Sequence, residues 1–455
     1  MSNLKVKTYV AWVTPCSTTK KILWVNTFPS PRRKACLHSL CILMNTPYRD
    51  IVDQHVIDVG LLWELRSVVI DQPHYSPVAL TKLEQRINRH LDALSLQPEL
   101  AWDIAVEALA TEESGETFTA ALLAFTAREN SGKNNEKITQ VVKAARANGK
   151  TFKGLVSALG WLPEAIGLTW IQPRLSSHDP DDNHLAIAVC RILSHDPGEP
   201  LAHLLERGTQ HPQHPLLIHC LRLTGELKRA DLRADCQKAA TAENPDIRFW
   251  GIWSSILLGE HDDAQALAPY VLQTHPWQQK AIQLAFRIIP DNVADAWINH
   301  LLHHPGQTRQ GIKAIAANGR LHAIPRLITL MQNDTLARVA GEAFSLLTGI
   351  DLKQQQLAGP CPPPDEDPDD IDSALEDAEL PWPDVEKVAA RWQQQSADFD
   401  TGQRYFMGQP ITAAHLHDII ATGYPRQRHA AALELALLEP SSPLINTRAI
   451  AKEQQ

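Results

Sequence analysis

The residue types able to do chemistry are scattered along this chain rather than gathered in a motif. Twenty histidines are the largest reservoir. His300 and His304 sit four apart with His303 between them, so on a helix two imidazoles share one side and offer a metal two nitrogens. The spacing supplies no third ligand, and paired histidines on a helix surface are commonly just solvated. Ser177 to His184, SHDPDDNH, collects oxygen ligands but lacks the glycine and distal glutamate of a calcium loop, so it reads as a polar turn between helices. Glu64 and Glu84 lie on amphipathic stretches without a positioned carboxylate partner, and surface ion pairs suffice for them. The chain carries no dinucleotide, P-loop, nucleophile-elbow, zincin or kinase signature. We therefore assign no catalytic residue, no cofactor and no metal ligand.

Candidate partner contacts concentrate near the C-terminus: Trp382 between two prolines, Arg426 and Arg428 at a helix entry, and Ile445 and Arg448 in the strip PLINTRA. Trp382 either anchors in a partner's groove or packs back on its own chain. Arg426 and Arg428 stand at the end of a helix where positive charge opposes the macrodipole, so an acidic neighbour must offset them. The stretch Asp365–Asp384 is one source of it. The strip beyond Pro440 is either laid along the body or held out as an arm.

The elements that position these residues are helical. From Ile51, Val52, Val56, Val59 and Trp63 recur at helical steps. Ser76-Pro77 opens a second stripe of Leu80, Leu83, Ile87, Leu91 and Leu94. Alternating strand patterns are absent, so the fold class is all-α. From Phe152 onward, helices end at Gly160, Gly225, Gly259, Gly319 and Gly349, read as left-handed C-caps. Two of the gaps are about twice the others, which implies silent repeats ending near Ser194 and Ile289. Roughly seven units of about 30–34 residues then tile 150–350, the scale of a helical solenoid. Eight residues before three of these ends stand Gly251, Gly311 and Gly341, where neighbouring helices should approach too closely for a side chain. Asp246 with Arg248, and Asp334 with Arg338, open two of the units. These entries resemble the HEAT-repeat pattern, in which Asp and Arg form a ladder between successive units.

Five regions follow: a basic leader over 1–43, an N-terminal helical region over 44–150, a HEAT-like array over 151–352, a Pro-rich acidic linker over 353–383, and a helical cap and tail over 384–455. The leader holds seven Lys/Arg and no Asp or Glu, and reads as an extension upstream of a functional start at Met44. The linker should be solvated, since so many carboxylates cannot bury enough apolar surface to fold. The last helix, with Ala430, Leu433 and Leu437 on one face, should seal the end of the array.

Net charge is −9, and about −16 without the leader, which argues against a binder of nucleic-acid backbone. No apolar run is long enough to span a bilayer. The seven cysteines show no CxxC pair, and a reduced, cytoplasmic setting is expected.

Several segments together resemble one bacterial family: LLWELRSVVIDQPHYSPVALTKLEQRINRHLDAL (61–94), GLVSALGWLP (154–163), RFWGIWSSILLG (248–259), AGEAFSLLTGIDL (340–352), LPWPD (380–384), RYFMGQPIT (404–412) and the stretch from Gly423. The chain is similar there to the HEAT-repeat proteins often encoded beside type VI secretion spike (VgrG-like) and spike-tip (PAAR-like) genes. The resemblance implies an adaptor or chaperone-like role, with a spike, spike-tip or effector protein as partner. The expected function is a non-catalytic scaffold for protein binding. The alternatives are an enzyme of this fold acting on DNA or a small ligand, or an immunity protein. A deep pocket lined by converging His, Asp and Arg would favour catalysis, and a broad shallow trough would favour protein binding.

Overall fold

The computed structural model describes residues 48–127, 131–210, 214–360, 376–377, 379–400 and 402–450. The expectations for the leader over 1–43, and for the acidic stretch over 361–375, lie outside the described residues. The helices in chain order are α1 (Arg49–Val69), α2 (Pro77–Leu94), α3 (Pro98–Ala108), α4 (Ser114–Thr126), α5 (Ser131–Ala145), α6 (Gly149–Trp161), α7 (Glu164–Leu175), α8 (Pro180–Leu193), α9 (Glu199–Gln210), α10 (His214–Glu226) and α11 (Arg233–Ala239). They continue as α12 (Pro245–Leu257), α13 (Ala268–Val271), α14 (Gln278–Ala285), α15 (Asp291–His303), α16 (Thr308–Asn318), α17 (Ile324–Leu330), α18 (Asp334–Thr348), α19 (Val385–Gln395), α20 (Ala413–Thr422) and α21 (Pro425–Leu438). The described residues are all-α but for a hairpin of two-residue strands, in which Tyr405 pairs with Pro410 and Phe406 with Gln409.

Local chemistry sets many of these ends. Ser76 caps α2 by accepting from the Ala79 amide at 3.1 Å, and Asn244 and Thr412 do the same for α12 and α20. Gly319 and Gly349 close α16 and α18 with φ of +78° and +70°, and Gly259 follows α12 at +105°. Ser194 takes the same left-handed geometry, φ +53°, after α8, at the place where a repeat end without glycine was expected.

Two glycine assignments need correction. Gly160 and Gly225 lie inside α6 and α10 and have no positive φ. A Cβ on Gly225 would stand 2.8 Å from the Ser254 Cα, and one on Gly160 would stand 2.8 Å from the Ile192 side chain. They are close-approach positions, like Gly251, where a Cβ would meet the Ala240 amide at 2.4 Å. Gly311 faces Leu302 and Gly341 faces Leu352 in the same way.

Alternate helices pack side by side in chain order: α4 on α6, α6 on α8, α8 on α10, α10 on α12, α14 on α16 and α16 on α18. Their partners α7, α9, α11, α15 and α17 cover the other side of this row. The row's helices end at Trp161, Leu193, Glu226, Leu257, Ala285, Asn318 and Thr348, about 30 residues apart. The packing crosses residue 150 without a break, because α4 and α5 both rest on α6. The core is one apolar cluster running from Val52 to Leu437, with a smaller one formed by Phe406, Leu416, Ala431 and Leu435.

Asp246, Arg248, Asp334 and Arg338 do not form the expected ladder, although Arg146–Asp179, Arg229–Asp196 and Arg320–Asp291 do pair across about one repeat. Asp246 instead accepts from the Trp277 indole at 2.6 Å, Arg248 donates to the Tyr270 hydroxyl, and Arg338 lies over the Trp382 ring at 4.8 Å. Asp334 serves as the first residue of α18, behind the Asn333 cap. The linker is solvated at Lys353, Gln354, Gln356, Pro360 and Glu379 but not at Asp377. Asp377 is 2% exposed and accepts from Arg309 at 2.7 Å. Farther along, Gly359 donates to the Trp382 carbonyl and Asp384 to that of Leu357. Trp382 thus packs back on its own chain.

Candidate functional site

The facing sides of α1, α6, α8, α10, α12, α14, α16 and α18 line a partly open cavity of about 850 Å³, and α21 and the C-terminal strip form part of its wall. The final helix therefore crosses the inner side of the row rather than sealing its end. Its apolar residues are spread around the axis, as burial on several sides requires: Ala431 and Leu435 meet Phe406 and Leu416, while Ala436 and Leu437 join the main core.

Buried ion pairs hold α21 in place. Glu434 accepts from Arg404 at 2.7 and 3.0 Å and lies 3.1 Å from Arg287. Lys228 donates to the carbonyls of Ala436 and Leu257. Arg426 pairs with Glu342 at 2.8 Å and donates to the carbonyls of Asp71 and Glu376. The acidic offset expected at this helix entry comes from α18 and from Glu376 in the acidic stretch. Arg428 donates to the Ile420 carbonyl.

The strip is laid along the body. The Leu444 amide donates to the Glu226 carbonyl and the Asn446 side chain to that of Ile192, both at 2.8 Å. Arg66 donates to the carbonyls of Arg448 and Ala449 at 3.1 Å, and Arg448 pairs with Asp71 at 2.9 Å. Arg66 is itself fixed by Glu84 at 2.7 Å in a buried pair, so Glu84 is not the surface residue expected of it. Glu64 accepts from the Ser114 hydroxyl and the Gly115 amide. Burial pushes the Asp71 carboxyl up, but His429 and Arg448 outweigh it and hold it at about 2. Ile445 stays 39% exposed.

Within the cavity the charges do not balance. Arg66, Lys313, Arg426 and Arg448 each have a carboxylate. Arg191 and Arg222 share one, Glu226, at 3.9 and 3.3 Å. Arg222 also stacks on Trp250 at 4.1 Å. Lys280 makes no hydrogen bond or ion pair with any described residue. Burial, reinforced by Arg222 and Arg448, lowers its ammonium to about 8. His219 is held neutral, at about 2, by burial and then by Arg191.

Among the described residues, one group offers three metal-type ligands close together: His55, Asp58 and His90. The His55 and His90 Nδ1 atoms stand 2.8 Å apart, a hydrogen-bond distance. Two nitrogens on one tetrahedral zinc at ~2.0–2.1 Å would be separated by roughly 3.3 Å. The pair is therefore a ring-to-ring hydrogen bond in this arrangement. His303 and His304 are hydrogen-bonded to the backbone carbonyls of Asn299 and Pro305. The 177–184 stretch caps α8 through Asp179 and buries Asn183.

A second surface feature is the outer side of α1. Ile57, Leu61, Leu65 and Val68 recur at helical steps and are 44–56% exposed. Comparison with protein-family models, with curated proteins and with solved structures gives no match.

Sequence reasoning missed Arg191, Arg222, Lys280 and His219, which sit on three different helices. One signal was present. The position three before the expected repeat end is Ser157, Arg191, Arg222, Ala316 and Leu346 in five of seven units, and these line the cavity; in the other two it is Ile256 and Phe286, which are buried in the core.

Proposed function

We propose that this chain is a HEAT-like α-solenoid that acts as a non-catalytic protein-interaction scaffold, docking its partner on the outer side of α1. The exposed row Ile57, Leu61, Leu65, Val68 carries the reading. A contiguous exposed apolar row on a helix is a mark of a surface that a partner covers. The regular helix ends about 30 residues apart support the solenoid assignment. The inner side, the usual peptide-binding surface of such arrays, is filled by α21 and the strip, which directs docking outward. The resemblance supplies the partner class: a type VI secretion spike, spike-tip or effector protein, met in the bacterial cytoplasm by an adaptor or chaperone.

The test is affinity capture from the native host with the wild type and with Leu61→Glu/Leu65→Glu. The wild type should recover a spike, tip or effector protein, and the double variant should lose it while keeping its thermal melt. Recovery of none of these by the wild type, or equal recovery by both, would overturn the reading.

The partly open cavity favours a second, compatible reading for the inner side, in which a small ligand is bound.

A further inference from the structure

The cavity concentrates positive charge inside an acidic protein. The chain carries −9 overall, yet its cavity lining holds eight Lys/Arg side chains against four carboxylates. Arg66 is paired by Glu84 behind the lining, and Lys313, Arg426 and Arg448 by lining carboxylates. Lys153 lies over the Trp63 ring, and the rest of the surplus falls on Arg191, Arg222 and Lys280, which come from α8, α10 and α14. Burying like charges together is costly unless something negative joins them.

The available groups are not self-satisfied. The Nε atoms of Arg191 and Arg222 are buried without a hydrogen-bond partner, as is the His219 Nδ1. Lys280 makes no hydrogen bond or ion pair with a described residue, lines the cavity and is exposed. Asp71 is the one carboxylate that acts on it, against three guanidiniums. The rest of the wall is mainly apolar and includes Trp161, Trp253 and Leu433.

We propose that this cavity is a binding site for a small anion, a molecule with a phosphate or carboxylate head and an apolar body. The head sits among Lys280, Arg222 and Arg191, and the body lies along Trp253 and its apolar neighbours. A guanidinium offers a planar fork of donors to either kind of head, and an ammonium adds a point charge. About 850 Å³ suits a small molecule rather than a folded partner, and α21 with the strip forms part of the wall that a long peptide would need open. The inference rests on the ligand reading of the cavity and is independent of docking on α1.

The test is isothermal titration of the full chain with two probes, inorganic pyrophosphate for the phosphate head and citrate for the carboxylate head. At least one should bind with one-to-one stoichiometry, and which one does so identifies the head. Lys280→Gln should weaken that binding about 10- to 100-fold by removing one charge-assisted contact, and Lys280→Arg should keep it within about threefold. Because Lys280 holds no hydrogen bond or ion pair with a described residue, both variants should melt as the wild type does. Leu61→Glu/Leu65→Glu should bind the probe normally, so failure of the docking reading cannot mask the result. If neither probe binds at about 1 mM, or if Lys280→Gln binds like the wild type, the proposal is wrong.

Discussion

Replacing Glu434 with alanine should release α21 from the inner side of the row. Glu434 is the only carboxylate between Arg287 and Arg404 among the described residues, at 3.1 and 2.7 Å, and the Arg287 side chain is 4% exposed. Burial already lowers Arg287 to about 10 with the carboxylate in place, so its charge is poorly solvated. Arg404 keeps the carbonyls of Asn318 and Ala317 as acceptors, while Arg287 keeps Gln283 alone. Stranding one buried charge costs ~3–5 kcal/mol, a factor of roughly 150 to 5,000 in a local opening equilibrium. A chain of this length need not unfold in one step, so the readout is hydrogen exchange of the α21 amides rather than a single melt. Glu434→Ala should lose about 100-fold or more of protection in α21, with α6 to α10 little changed. The triple replacement Arg287→Met/Glu434→Leu/Arg404→Met should recover most of it, because apolar residues of similar volume carry no desolvation debt. A loss under about fivefold in Glu434→Ala would refute the view that this triad holds the helix down.

Other outcomes follow from the same geometry. Removing residues 441–455 should leave helical content unchanged but open the cavity wall, read as a severalfold rise in binding of a hydrophobic dye; no rise would show that the strip is not part of the wall. Gly251→Ala should destabilise by about 1–3 kcal/mol through collision with the backbone of Ala239 and Ala240. Gly259→Ala, which meets nothing but carries φ +105°, should cost about 1 kcal/mol in denaturant midpoint. Acid should loosen the strip and the linker contact. Asp71 and Glu376 both fall to about 2, so the stability they add is complete above about pH 4.5 and is lost as pH falls from there toward 2. His219, also lowered, contributes stability that is full above about 6.5 and declines from that point downward. His219→Leu should therefore remove its share of the decline from about pH 6.5 to about 2, so that only the decline due to Asp71 and Glu376, below about pH 4.5, remains.

How much was readable depended on whether the cause was local. The caps at Ser76, Asn244 and Thr412 and the left-handed ends at Gly319 and Gly349 are decided within one helical turn, and the sequence shows them directly. Glycine, however, serves both a positive φ and a close approach, and the letter is the same. Gly160 and Gly225 read as ends because nothing in their neighbourhood along the chain reveals Ile192 and Ser254, which are decided by the next helix in the row. The linker misread has a similar origin. A run of acids is solvated by default, and only the placement of Arg309 and Lys313 supplies the charge that buries Asp377 and engages Glu376.

The amino-acid pattern alone determines that this chain is helical, that helices end about every 30 residues, and that Pro440 stops the last of them, because periodicity, capping and proline chemistry act over a few residues. Tertiary structure alone decided the rest. Stacking brought Arg191, Arg222 and Lys280 from three helices to one cavity, turned α21 across the inner side, and laid Leu444–Ala449 against α1, α8 and α10. Those contacts join residues up to 383 positions apart. Their energy depends on burial and on opposite charges meeting, which exist only once the row is assembled.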